Sequence, residues 1–155
     1  AYALDQWGVD ADEATRERIL AAYEHLEPYP DAIETLTRLS KAGHTVTVLS
    51  NGNPEMLETL ADNAGLAPHL DDVISADEVS TFKPNPAVYE NAADRTDTPI
   101  DRCRLVSGNA WDVAGAGSAG MATAWVNRAN DPFEEIGVDP SIEVSSLADL
   151  AEELA

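Results

Sequence analysis

Short apolar runs alternate with helix-like segments along this chain, and that alternation is the tightest constraint on its fold. His44–Leu49 alternates and is β-branched. Asp72–Ser75 and Arg102–Val106 are brief strand-like runs, Met121–Val126 is a longer one, and Ile142–Val144 closes the series. Helices are expected between them. One runs from about Pro30 to Lys41 with Ile33, Leu36 and Leu39 inward, and Gly43 stops it. A second starts at Pro54 under an Asn53 cap, a third opens at Asn85-Pro86, and a fourth covers Asp112–Ala119. Ser146-Leu147-Ala148-Asp149 has the form of a capping box opening the last. Strands and helices in strict alternation predict an α/β fold with a parallel sheet and right-handed crossovers. Before this series, residues 12–26 read as a helix with Ile19, Leu20, Tyr23 and Leu26 on one face, ended by Pro28 and Pro30.

Three polar turns carry the chemistry, and each follows a strand and precedes a helix. They are Ser50-Asn51-Gly52-Asn53-Pro54, Phe82-Lys83-Pro84 and Ser107-Gly108-Asn109-Ala110-Trp111-Asp112. In an open parallel sheet such strand ends converge on one crevice. A hydroxyl, an amide, an ammonium and a carboxylate would meet there. Ser50 and Asn51 can donate to an anion at the following helix start, or serve as plain turn residues. Lys83 can keep a neighbouring carboxylate ionised, or sit solvated in its loop. Asp112 can accept a proton from a water that Asn109 orients, or either residue can cap the helix. Trp111 can wall a binding pocket or pack in the core, and Tyr89 can face the crevice or the core.

Composition removes several classes of function. The 155 residues carry 29 acidic and 9 basic side chains, a net charge of −20, and Lys41 and Lys83 are the only lysines. Nucleic acid and anionic membrane surfaces are disfavoured partners. Self-repulsion of this size weakens a compact state unless salt screens it, so the chain reads as a protein of a high-salt cytoplasm. Ala1–Asp5 shows no secretory leader, which also points to the cytoplasm. Cys103 stands alone, so it reads as a buried inert thiol, and His25, His44 and His69 lack metal-like spacing. No metal and no cofactor are expected. Gly115-Ala116-Gly117-Ser118-Ala119-Gly120 spells a dinucleotide fingerprint, but it falls inside a helix rather than in the turn after a strand, so helix packing explains it better.

Together the motifs resemble the 2-haloacid dehalogenases of the haloacid dehalogenase (HAD) superfamily. The matching text is Leu49–Leu57, Phe82–Tyr89, Val106–Ala116 and Thr123–Arg128, in that order. The resemblance implies a Rossmann-like core at residues 28–155, with residues 1–27 as the C-terminal part of a helical cap. It implies hydrolysis of small 2-haloacids through an aspartyl ester. Ser50 would bind the substrate carboxylate, Asn51 would help cradle the halide, and Lys83 would hold the nucleophile ionised. Ser107, Asn109 and Asp112 would order Lys83 and the hydrolytic water, Tyr89 would support the substrate site, and Trp111 would line the pocket. Homodimers occur among such relatives.

Two departures stand out. Gly108 replaces a common serine. The strand that carries the family's nucleophilic aspartate, placed between the strands ending at Leu49 and Val106, has no counterpart in the sequence, and neither does the halide-holding arginine of the cap. The 155 residues by themselves are therefore expected to be inactive. A phosphatase of the same superfamily is the nearest alternative, but Asn109 stands where an acid would help hold Mg²⁺, and one carboxylate makes a poor Mg²⁺ site. A catalytically inactive truncated remnant is the other alternative.

Overall fold

A computed structural model describes residues 4, 6–134 and 136–155. Apart from Leu4, the opening read above for a leader lies outside them. The chain folds as alternating strands and helices, and every strand pairing is parallel. The strands are β1 (Thr47–Ser50), β2 (Asp72–Ser75), β3 (Arg104–Ser107), β4 (Ala122–Val126) and β5 (Ile142–Val144). The helices are α1 (Glu13–Ala21), α2 (Ala32–Lys41), α3 (Pro54–Asn63), α4 (Pro86–Arg95), α5 (Ala110–Ala119) and α6 (Leu147–Leu154).

The helix starts obey their caps. Asn53 accepts the Met56 amide at 2.9 Å, Asn85 that of Ala87 at 3.0 Å, and Ser146 that of Asp149 at 3.0 Å. β1 begins three residues later than its apolar pattern suggests. Val46 is held instead by the Asp71 turn: its amide donates to the Asp71 carboxylate and its carbonyl accepts from the Asp71 amide. The expected 12–26 helix divides into α1 and a 3₁₀ turn over Ala22–His25. Its apolar face is not buried: Ile19, Leu20, Tyr23 and Leu26 are all exposed. Asn63 of α3 anchors the segment by donating to the Glu24 carbonyl at 2.8 Å.

The parallel sheet is divided. β1 pairs with β2, and β3, β4 and β5 pair in that order, so β1 and β3 each have one strand neighbour among the described residues. Between them lies a cavity of about 740 Å³, lined by Leu36 and Leu39 of α2, Val48 and Leu49 of β1, and Leu105 and Val106 of β3. This explains why α2 departs from expectation. Ala32 and Thr35 are buried, Leu36 and Leu39 are half-buried over the cavity, and Ile33 is exposed. In the main core Ile74, Tyr89, Leu105, Ala116 and Met121 pack together, and Leu105 and Met121 also line the cavity. There Cys103 is half-buried, and burial raises its thiol pKa.

Candidate active site

The site is built at the carboxyl ends of β1 and β3. Both strands end on a serine that accepts the backbone amide two residues on: Ser50 from Gly52 at 3.2 Å, Ser107 from Asn109 at 3.1 Å. β2 ends the same way, with Ser75 accepting from Asp77 at 3.1 Å. The three differ in their protons. Ser75 is buried and donates to the Gly52 carbonyl at 2.6 Å, which ties the β1 and β2 turns together. The hydroxyl protons of Ser50 and Ser107 are given to no protein acceptor among the described residues, so they remain available to a ligand. A Cβ on Gly52 would meet the side chains of Met56 and Leu57, so glycine lets them pack against this turn without shifting.

Lys83 reaches across the mouth of the cavity. Its ammonium donates to the Leu49 carbonyl at 3.1 Å and to Asp112 Oδ2 at 2.7 Å. One contact belongs to β1 and the other to the first turn of α5, so a single side chain bridges the two halves of the divided sheet. Its backbone is fixed as well, because the Lys83 amide donates to Asn51 Oδ1 at 2.7 Å. The lysine side chain is 10% exposed and that of Asp112 is 3% exposed, so the pair is shielded from solvent. The other carboxylate oxygen of Asp112 accepts from the Tyr89 hydroxyl at 2.8 Å. Burial, and then the hydrogen bond to Asp112, push the Tyr89 phenol well above its usual pKa, so it stays a donor.

Lys83, Ser107, Asn109 and Asp112 all line the cavity. Asn109 is the N-cap position of α5, yet its side chain caps nothing and the residue is exposed. Asp112 does not cap either, since both its oxygens serve Lys83 and Tyr89. Among the described residues Ser107 makes no hydrogen bond to Lys83, and its oxygen accepts the Asn109 amide. Ser50 and Asn51 are not among the residues lining the cavity; they directly follow Leu49, which does line it, and Asn51 meets the site through the Lys83 amide. Trp111 is 39% exposed in the first turn of α5, which excludes the core position. Tyr89 is wholly buried, and its hydroxyl donates to the Asp112 carboxylate.

Two contributors escape a reading of motifs. The Leu49 carbonyl is a ligand for the ammonium that no side-chain pattern announces. Gly115 lies one helical turn after Asp112, where a Cβ would come within 2.5 Å of Pro84 Cβ and 2.8 Å of the Tyr89 hydroxyl. Helical spacing from Asp112 is the signal that could have found it. The glycine-rich run therefore does serve packing, but Gly115 admits the Lys83-Pro84 turn rather than the sheet.

His25, His44 and His69 have ordinary structural partners: Asn63, the Leu154 carbonyl and Thr37, respectively.

Residues 2–120 match the haloacid dehalogenase-like hydrolases. The chain belongs to that family. It is 42% identical over 149 residues to (S)-2-haloacid dehalogenase 1 of Pseudomonas sp. (strain CBS-3), covering 96% of this chain and 66% of that protein. It is 38% identical over 149 residues to (S)-2-haloacid dehalogenase 4A of Burkholderia cepacia, covering 96% of this chain and 64% of that one. The chain thus spans just under two thirds of the length of these relatives. The fold agrees with L-2-haloacid dehalogenase from Xanthobacter autotrophicus at a TM-score of 0.91, with 31% identity over 98% of this chain and 71% of that one.

Proposed function

We propose that this chain forms most of the catalytic core of a hydrolase that removes halide from small 2-haloacids. The observation that carries the reading is the shielded Lys83–Asp112 pair, which stands at the end of a strand-sized cleft with unspent hydroxyls on both sides. Ser50 grips the substrate carboxylate, and Asn51 and Trp111 line the halide and substituent side. A carboxylate oxygen attacks C2; the C–O bond forms as the C–halogen bond breaks, and halide leaves with the bonding pair. Water held by Asn109 then adds to the ester carbonyl. Of its two protons, one passes to the departing 2-hydroxy oxygen as the acyl C–O bond breaks and the other goes to solvent, so the 2-hydroxy acid is released and the attacking carboxylate is regenerated; Asp112 keeps Lys83 in place throughout.

Asp112 is not the nucleophile, because Lys83 and Tyr89 occupy it. The reading places the nucleophile on a further strand in the β1–β3 cleft, from a longer chain or from a partner. The third N–H of Lys83 points its charge to such a carboxylate and holds it ionised. Residues 1–27 then belong to a cap, with residues 28–155 as the core. The same locked state of Asp112 and the neutral side chain of Asn109 disfavour the phosphatase alternative.

Ion chromatography of halide released from 2-chloropropionate tests this. The 155 residues alone are expected to release none, and the same chain extended by an aspartate-bearing strand is expected to turn over. Turnover by the 155 residues unaided removes the need for the further strand, and phosphate release without halide release removes the dehalogenase reading. The net charge of −20 supports a protein of a high-salt cytoplasm. A cooperative unfolding transition unchanged on dialysis to low salt removes that part.

A further inference from the structure

A second cavity, of about 450 Å³, lies against the Ser107-Gly108-Asn109 turn on the β4 side. Tyr29 and Arg128 line it opposite that turn. Arg128 follows β4 and makes two kinds of contact at once. Its guanidinium gives two hydrogen bonds to the Asp31 carboxylate, at 2.8 and 3.0 Å. It covers the Tyr29 ring at 4.1 Å from the centroid. Through Asp31 it also meets the start of α6, because Asp31 accepts the Leu147 amide at 2.9 Å.

Tyr29 and Asp31 belong to the linker between the Ala22–His25 turn and α2. That linker has few other ties, and Tyr29 is 62% exposed despite the guanidinium over it. A planar cation that stacks on a ring while one edge nitrogen meets a carboxylate is a geometry that arginine supplies and lysine does not. On the other side, Trp125 of β4 lies three residues before Arg128. Its indole N–H donates to the Gly108 carbonyl at 3.2 Å, in the middle of the site turn. The run Trp125–Arg128 therefore grips the Ser107–Asn109 turn at one end and the linker at the other.

We propose that Arg128 is a positioning residue: clasping Tyr29 and Asp31, it fixes the linker as the outer wall of the cavity beside Ser107–Asn109 and so sets how firmly substrate is held. This rests on the reading of Ser107 and Asn109 as site residues. The clasp touches no reacting atom, so it acts on KM rather than kcat. On the linker side of the cavity the Arg128 guanidinium and the Asp31 carboxylate are paired with each other, which makes that side a structural wall.

The test compares Arg128→Met, Tyr29→Leu and Tyr29→Phe with the parent protein, all in the form that carries the nucleophile strand. Hydrogen exchange is read at residues 26–31 and 107–109, and kcat and KM are read on 2-chloropropionate. Arg128→Met and Tyr29→Leu are expected to speed exchange in both segments and to raise KM about threefold to tenfold, with kcat within about twofold. Tyr29→Phe keeps the ring and is expected to match the parent. Faster exchange confined to 26–31, or an unchanged KM, overturns the proposal. If Arg128→Met fails to fold, the two Tyr29 variants decide. If no haloacid is turned over, the exchange at 107–109 still decides the coupling, and the functional reading fails separately.

Discussion

β1 and β4 are strands of similar length and apolar character in parallel sheets, yet they live in different surroundings. β4 lies between β3 and β5, and Thr123, Ala124, Trp125 and Val126 are all buried. Among the described residues β1 has only β2 beside it, and Thr47, Val48, Leu49 and Ser50 are all half-buried. A parallel strand is apolar throughout because both its faces and both its edges are normally covered. β1 is built for surroundings that its β2 side supplies and its β3 side does not. Its unpaired edge also borders the site, where the Lys83 ammonium joins the Leu49 carbonyl of β1 to the Asp112 carboxylate of α5.

The largest effect is expected where the two halves are joined. Lys83→Met leaves the Asp112 carboxylate buried without its cation, a situation that costs about 3–5 kcal/mol. Urea unfolding should show a loss of that order, and halide release by the completed protein should fall about 100-fold or more. If stability is unchanged, Lys83 does not hold the halves together.

A matched pair tests the contrast between the strands directly. Val126→Ala in β4 is expected to cost about 2 kcal/mol, and Val48→Ala in β1 less than about 1 kcal/mol. Binding of a further strand in the cleft should bring the two costs together, because Val48 would then be covered. Equal costs in the 155 residues alone would erase the contrast.

Gly115→Ala probes the paired half from inside. The added methyl meets Pro84 and the Tyr89 hydroxyl, and overpacking of this kind costs about 1–3 kcal/mol. The displaced turn carries Lys83, so halide release should fall by more than the stability loss explains. The smallest effect concerns the linker. Burial raises the Asp31 pKa, but Arg128 and the Leu147 amide outweigh it and hold the carboxyl below its usual value. A carboxyl lowered in the folded state adds stability that is present above its unfolded pKa and lost as pH falls through the folded one. Asp31→Asn is therefore expected to lower the urea midpoint at pH 7, with the gap narrowing as pH falls below about 4. A gap independent of pH would show that the ion pair contributes nothing.

Much of the fold was legible because its signals are local. Asn53, Asn85 and Ser146 cap the helices whose starts they mark, and Pro54 and Pro86 occupy first turns. The turns at Ser50, Lys83 and Ser107 could be read as convergent because parallel strands bring their carboxyl ends to one side. The exposure of Ile19 and Leu20 could not be read, since helical periodicity says which residues share a face and not whether anything covers it. Likewise nothing in Ser50, Ser75 and Ser107 distinguishes the serine that spends its proton on Gly52 from the two that do not.

By itself, the sequence determined the alternation of elements, the strongly acidic surface and the residue types that meet at the strand ends. These follow from side-chain period, charge and cap chemistry, all of which act within a few residues. Only the tertiary structure decided that Asp112 is held by Lys83 and Tyr89, that the Leu49 carbonyl takes the ammonium, that Arg128 clasps Tyr29 and Asp31, and that β1 and β3 stand apart. Each of those depends on distances between segments tens of residues apart, and such distances are set by packing of the whole chain.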